Sequence, residues 1–401
     1  MRHREQTDTA TRDRAGSLRV MAQARAGDGG PACGLDFASQ DCLGLSTHPA
    51  IVEAAAETLR RFGVRSVCSA AETGETNLSV ALERRIADFL QMEEAMLCPT
   101  GKAAGHAVIR GLVRPSDHVV IDEAVRGGLK EAAEAATSHL HPFRHLDADH
   151  CADLVRAIRA RDSRSGILVV TESLSPLDSG TPDLAALRAI CDEAGATLLV
   201  DVAQDLGCLG EDGRGHLGLQ DMLGRVDLVT GSFSKSFASN GGFVAARTRA
   251  VTAYLRARES AETALSPIQT AVILKAFAII DGAEGSERRA RLMRNVLNLR
   301  AALRDRGLEV YGEPSATVSV GIGSVDLAQA LGRRLAELGL LVDPAEAPEA
   351  DPEAARLRLH LTAGHDEADT ARAAACIAAA LEQARGDLAA SSRPLRLRVA
   401  A

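Results

Sequence analysis

Val226-Asp-Leu-Val-Thr230, followed at once by Gly231-Ser-Phe-Ser-Lys235-Ser-Phe-Ala-Ser-Asn-Gly-Gly242, decides how this chain is read. A short apolar run closed by small residues reads as a buried strand running into a loop. The loop sets one lysine among hydroxyls and glycines. Hydroxyls bind phosphate oxygens, and Gly241-Gly242 lets backbone approach closely. The nucleotide loop GxxxxGK[ST] is absent. A lysine at the end of a buried strand is a candidate Schiff-base former, because an ammonium shifts its pKa readily when buried. The chain has four lysines (Lys102, Lys130, Lys235 and Lys275) against 42 arginines. The ordinary reading of any one is a solvated surface residue; its neighbours lift Lys235 out of that class.

Outward from this stretch a strand and helix rhythm appears. Apolar runs at Ala95–Cys98, His118–Ile121, Gly166–Thr171 and Thr197–Asp201 suit buried parallel strands. Helical spacing at Ala50–Phe62, Leu78–Phe89, Ala104–Leu112 and Asp183–Ala194 lies between or before them. That alternation predicts an α/β domain with a mostly parallel sheet covered on both faces. A long helix near Glu287–Arg306 follows. After it, short strands near Ala316–Ile322 and Arg356–Leu361, with helices at Asp326–Leu338 and Glu367–Gln383, predict a smaller α+β domain. The expected division is an N-terminal arm over 1–50, a large domain over 51–285 and a small domain over 286–401.

In such a sheet, ligands sit beyond the carboxyl ends of the strands. Asp201 closes the strand Thr197-Leu-Leu-Val-Asp201. A carboxylate there is either a helix cap or a group held for a cation, since burying it alone is costly. Pro99-Thr-Gly101-Lys102-Ala-Ala-Gly105 lies between a strand and an apolar helix, where free backbone N–H groups can hold a phosphate. A phosphate-binding helix start, a strand-end Asp and a later Lys together match the needs of pyridoxal phosphate. The Asp keeps the pyridine nitrogen protonated and the Lys holds the aldehyde.

Composition removes other classes. The chain has 401 residues, enough for two domains and a large core. A formal charge of −8 argues against nucleic acid as a partner, because phosphate neutralisation needs a basic face. No apolar run reaches the roughly 18 residues of a membrane span. Aromatics are 2%, too few for a base-stacking surface. None of the eight cysteines is paired as CxxC, so no zinc or redox motif is expected. Their apolar settings suit buried thiols in a reducing cytoplasm. The N-terminus MRHREQTDTATRDR has no apolar core, so it is expected to be a mobile arm rather than a secretory signal.

With these residues in place, the chain resembles the α-oxoamine synthases, a fold-type-I pyridoxal-phosphate family. The family includes 8-amino-7-oxononanoate synthase, 2-amino-3-ketobutyrate CoA ligase, 5-aminolevulinate synthase and serine palmitoyltransferase. The resemblance runs from about Asp36 to Asp369. Its anchors are Phe37-Ala-Ser-Gln-Asp-Cys-Leu-Gly-Leu45, Leu199-Val-Asp201 with Gly210-Glu-Asp-Gly-Arg-Gly215, Gly231–Gly242, and Ala355-Arg-Leu-Arg358-Leu-His-Leu-Thr-Ala-Gly-His365. It implies the aspartate-aminotransferase-like fold, with Lys235 as the lysine that holds the cofactor and Asp201 as the partner of its pyridinium nitrogen. Ser232 stands where the family has a phosphate-binding Thr. Gly101 and the amide of Lys102 fall on the phosphate turn. Thr263 matches a hydroxyl that reaches the phosphate from a partner subunit, which implies a homodimer with shared sites. Arg358 matches the arginine that clamps the substrate carboxylate, a task suited to a guanidinium fork.

The shell around the reacting carbon departs from the pattern. The His that stacks on the cofactor ring is Arg126 here, in Asp122-Glu-Ala-Val-Arg126. A guanidinium can lie on a π face but does not exchange protons near neutral pH. Asp-Glu-Ala-His reads Asp201-Val-Ala-Gln204, so Gln204 can hydrogen-bond the phenolic oxygen but does not titrate. The Ser of Ser-Met-Asp-Gly falls on Pro176, with Ser175 and Ser179 as candidate replacements. The aromatic after Gly101 is Lys102. Two other signatures read Cys68-Ser-Ala70 and Gly74-Glu-Thr-Asn-Leu-Ser79, losing an Arg and a His. Arg126 and Lys102 are expected to add positive charge for an acidic substrate.

The resemblance implies an acyltransferase that condenses an amino acid with an acyl thioester, on CoA or an acyl carrier protein, and releases CO₂ to leave an α-aminoketone. The altered pocket points to specialised biosynthesis. Two alternatives stay open: a different pyridoxal-phosphate reaction on the same scaffold (retro-aldol cleavage, racemisation, decarboxylation or β/γ-substitution), or a non-catalytic partner subunit. Retention of Lys235 and Asp201 speaks against the second.

Overall fold

The computed structural model describes residues 35–64, 77–125, 127–258, 265–346 and 354–391. Arg126, Thr263, Cys33, Cys68–Ala70, residues 74–76, most of the arm and the tail beyond 391 lie outside them.

Seven strands form the larger sheet: β2 (Glu94–Cys98), β3 (His118–Asp122), β4 (Leu140–Phe143), β5 (Ile167–Glu172), β6 (Thr197–Asp201), β7 (Leu228–Ser232) and β8 (Gly242–Ala246). Their order is β2-β8-β7-β6-β5-β3-β4. β4, β3, β5, β6 and β7 run parallel, and β8 is antiparallel to both β7 and β2. The reversal has a simple cause. The loop 233–241 is shorter than the dozen or so residues that a parallel crossover needs, so the chain can only return beside β7. Successive residues feed opposite faces: Leu198 and Val200 join one apolar layer and Leu199 the other. Both faces are therefore covered, as expected from the continuous apolar runs.

The decisive strand sits two residues later than Val226–Thr230. Asp227 is spent on fixing its start: its carboxylate accepts from the Leu198 amide at 2.9 Å and pairs with Arg188 and Arg247. Ser232 thereby becomes the last strand residue. The helix expected at Ala104–Leu112 begins at Gly101, because Thr100 caps it by accepting from the Ala103 amide at 3.0 Å.

The smaller sheet has the order β1-β10-β11-β9, from β1 (Leu35–Phe37), β9 (Thr317–Gly323), β10 (Leu340–Glu346) and β11 (Ala355–His360). The end of the segment read as an arm is thus a strand, paired in parallel with β10. The helix Ala283–Arg304 leads into this domain, and Val325–Glu337 and Glu367–Ser391 pack on it.

The few aromatics are concentrated where rigidity is needed. Phe233 and Phe237, on the lysine loop, meet at 5.3 Å, and Phe237 meets Phe277 at 4.6 Å. All three are buried. Truncating such a ring costs about 3–5 kcal/mol, so the loop that carries Lys235 is anchored by its own neighbours. Among the described residues, no helix is long and apolar enough to cross a membrane.

Candidate active site

The carboxyl ends of β5, β6 and β7 open onto a cavity of about 370 Å³. Its lining includes Asp201, Lys235, Ser232, Gly101 and Lys102, five of the residues singled out from sequence. Each is there for a local reason. Asp201 and Ser232 end their strands, Gly101 starts its helix, and Lys235 rides the short return between β7 and β8.

Asp201 is held in place by neutral donors. The Thr230 hydroxyl donates to one carboxylate oxygen at 2.7 Å and the Ala203 amide to the other at 2.9 Å. Loss of solvent raises its pKa, and Thr230, Ala203 and Lys235 pull it down without cancelling that rise. Such a carboxylate gains most from a cation brought to it.

The phosphate end is defined by contact. A Cβ on Gly101 would lie 2.8 Å from the Ser232 Cβ, and one on Gly242 would lie 2.4 Å from the Thr100 carbonyl oxygen. The helix start and the lysine loop are pressed together, so amides at the head of Gly101–Leu112 and the hydroxyls of Ser232 and Ser234, 2.8 Å apart, share one corner. Amide and hydroxyl donors at a helix N-terminus suit a phosphate. A second helix start, Gly128–Leu129, borders the same cavity. These residues fit pyridoxal phosphate at three points: phosphate, pyridine nitrogen and aldehyde.

Other residues singled out from sequence have neighbours that the sequence did not show. Lys102 lines the rim, but its ammonium is answered by Glu131 at 2.5 Å, so it is not an open positive site for an acidic substrate. Gln204 is half-buried beside Ala203 and outside the cavity lining. Neither loop serine replaces the one lost at Pro176. Ser179 is buried and donates to the Thr317 carbonyl at 2.8 Å, while the buried Ser175 hydroxyl accepts from the Leu177 amide at 3.3 Å. Arg358 also lies outside the lining. It reaches Asp343 at 2.8 Å and the Pro176 carbonyl at 3.4 Å. Arg126 and Thr263, as stated, lie outside the described residues.

Sequence reasoning missed Glu172. It ends β5 as Asp201 ends β6, and the two are register neighbours. Burial, then the nearby Asp201 and Asp122, push its pKa well above the carboxylate range. The strand-end rule that found Asp201 points to it equally, but the run was read as closing at Thr171. A further group beyond the cavity was missed too: His145 sits 2.7 Å from buried Asp122 and 3.4 Å from Asp178.

The profile of the family described as "Aminotransferase class I and II" matches residues 34–377. An 8-amino-7-oxononanoate synthase of Pectobacterium atrosepticum is 34% identical over 86% of this chain and 88% of its own length. The chain belongs to the α-oxoamine synthases of this family. Other members place it further. A Mycobacterium tuberculosis protein named after 8-amino-7-oxononanoate synthase is 33% identical over 82% of this chain, which spans 42% of that relative's length. The solved structure of a Sphingomonas wittichii serine palmitoyltransferase superposes with a TM-score of 0.80, at 26% identity over 88% of both chains. The fold is that of the fold-type-I pyridoxal-phosphate transferases, and the family is pyridoxal-phosphate dependent.

Proposed function

We propose that this α-oxoamine synthase condenses an amino acid with an acyl thioester, on CoA or a carrier protein, with loss of CO₂ to give an α-aminoketone. The observation that carries this reading is the convergence of Lys235, Asp201, the Gly101 helix start and Ser232 on one cavity. When bound, pyridoxal phosphate supplies an electron sink for the carbon that must act as nucleophile. The chain's own residues supply the rest. Lys235 Nζ would hold the aldehyde, and it is the base in the cavity that could take the substrate's α-proton. Asp201, fixed by Thr230 and Ala203, would hold the proton on the pyridine nitrogen. The Gly101 and Lys102 amides with the hydroxyls of Ser232 and Ser234 would hold the phosphate. Arg358 orients the substrate carboxylate from the small domain. Gln204 and Arg126 offer hydrogen bonding and charge but no proton exchange near neutrality.

A homodimer with shared sites, Thr263 serving the neighbouring phosphate, belongs to the same proposal. An exposed apolar stripe on Pro49–Phe62, formed by Val52, Leu59 and Phe62, supports a covered face there. A cytoplasmic location and a role in specialised biosynthesis are the matching cellular readings; the reduced thiols of Cys42, Cys151, Cys191, Cys208 and Cys376 suit a reducing compartment.

The test is the visible spectrum of the protein with pyridoxal phosphate, then with single amino acids, followed by release of free thiol from acyl thioesters. A band that needs Lys235, shifts with one amino acid and leads to thiol release supports the proposal. A band that shifts without any thioester consumption moves the chain to another reaction on the same scaffold. No Lys235-dependent band leaves the partner-subunit reading.

A further inference from the structure

β11 carries a polar stripe that faces the large domain. Arg356, Arg358 and His360 alternate along it with buried Ala355, Leu357 and Leu359. Each polar residue meets a group of this same chain. Arg356 pairs with Asp178 at 3.3 Å and stacks on Tyr311, 4.3 Å from its ring centre. Asp343 stands directly opposite Arg358 across the β10–β11 pair. Its Oδ2 accepts from Arg358 Nη2 at 2.8 Å and lies 3.2 Å from His360 Nε2. His360 Nδ1 in turn lies 3.1 Å from the Thr317 hydroxyl, so the imidazole is fixed from both sides. Arg358 and Asp343 are mostly buried, with side chains 14% and 24% exposed, and water screens the pair only in part.

An arginine that captures a substrate carboxylate works best as an uncommitted fork. Here a carboxylate of the chain already holds one of its nitrogens. An incoming carboxylate meets a guanidinium whose charge is largely answered, and it meets the negative charge of Asp343 beside it. Like charges a few ångströms apart at a half-buried site repel strongly. The register keeps the two side chains within reach of each other, because Asp343 and Arg358 project from facing positions of one sheet.

We propose that Asp343 is a specificity-determining residue that sets how tightly Arg358 captures a carboxylate, by competing with it for the guanidinium. This rests on the reading of Arg358 as the substrate-carboxylate clamp. Asp343 weakens capture in the resting protein and returns to Arg358 when the ligand leaves.

The test is isothermal titration of the full chain, loaded with pyridoxal phosphate, with glycine, L-alanine and L-serine, and with acetate as a bare carboxylate. Asp343→Asn keeps the shape and an accepting oxygen but removes the charge. It is expected to lower the Kd for acetate, and for any of the amino acids that binds, by about fivefold or more, the size expected for one screened like charge. Asp343→Glu, which keeps the charge, is expected to restore weak binding, and Arg358→Lys to weaken it in every background. A Kd that rises or stays level in Asp343→Asn overturns the proposal, since Asp343 then merely positions Arg358 or is structural. Acetate affinity that responds to Asp343 while no amino acid changes the visible spectrum leaves the inference standing and sinks the reaction reading. The thermal midpoint of each variant separates a binding effect from a folding defect.

Discussion

The two ends of the site treat charge in opposite ways. At the large-domain end, Asp201 is hydrogen-bonded by the neutral donors of Thr230 and Ala203, with Lys235 near, and Glu172 beside it is pushed well above the carboxylate range by burial and by Asp201. At the small-domain end, Arg356 and Arg358 are each matched by a carboxylate, Asp178 and Asp343. At the first end, the hydroxyl, the amide and the nearby Lys235 do not offset the burial of Asp201. The second is complete without a substrate. A buried carboxylate whose partners do not offset its burial marks where a further cationic group gains most. An answered charge marks where a ligand must compete, and so where binding is reversible and tunable.

Breaking the cofactor end has the largest expected effects. Lys235→Ala should abolish the cofactor absorption band and lower turnover by about 10³-fold or more, the scale of losing one member of a catalytic unit. Asp201→Asn removes one partner of a buried charge pair, worth about 3–5 kcal/mol. Its rate with saturating cofactor should fall by about 10²–10³-fold, while the absorption band survives. Equal loss of band and rate in this variant would mean that Asp201 serves folding instead.

A smaller effect tests the contact that shapes the phosphate corner. Gly242→Ala places a methyl 2.4 Å from the Thr100 carbonyl, a backbone atom that cannot swing aside. Overpacking of this kind costs about 1–3 kcal/mol, and the loss should appear as weaker cofactor binding together with a lower melting temperature. A variant with normal affinity would show that the helix start and the lysine loop are free to separate.

The arginine end is sharpened by pH. His145 lies between Asp122 and Asp178, and Asp178 also holds Arg356. Burial works to lower its pKa, but the two carboxylates outweigh burial and push it up to about 10. A group raised in the folded state adds stability that is fully present below its ordinary value of 6.5 and is lost as pH rises through about 10. The melting temperature should therefore fall between neutral pH and pH 10.5, and His145→Gln should flatten that fall. A slope unchanged in the variant would remove His145 from the account. The least effect belongs to the exposed Lys102–Glu131 pair, 2.5 Å apart at the rim: Glu131→Gln should leave the melting temperature almost unchanged.

Much of the fold was legible because burial writes itself into sequence. Continuous apolar runs located five strands of the large sheet to within one or two residues, and turn chemistry placed Lys235 and Asp201 at their ends. Other segments escaped: β1, β4, β8 and β10, and the helices Gly128–Ala136, Ala148–Arg161, Gly215–Leu219, Arg249–Arg256 and Pro267–Asp281. β4 is only four residues long and carries Pro142 at the sheet edge, so it lacks the apolar run that marked the others. The site divides the same way. Residues that end a strand or start a helix were found, whereas His145, Asp343 and the Lys102–Glu131 pairing depend on neighbours distant in sequence or on side-chain direction.

By itself the sequence determined the alternation of strands and helices, the membership of the family, and the lysine and aspartate on which the proposed cofactor site rests. Those follow from local pattern, where period and position along one element carry the information. Only the tertiary structure decided that β8 reverses, that Ser175 and Ser179 turn away from the cavity, that Glu172 stands beside Asp201, and that Asp343 holds Arg358. These depend on which strand lies beside which and in what register, and electrostatic partnership falls off over a few ångströms of space rather than along the chain.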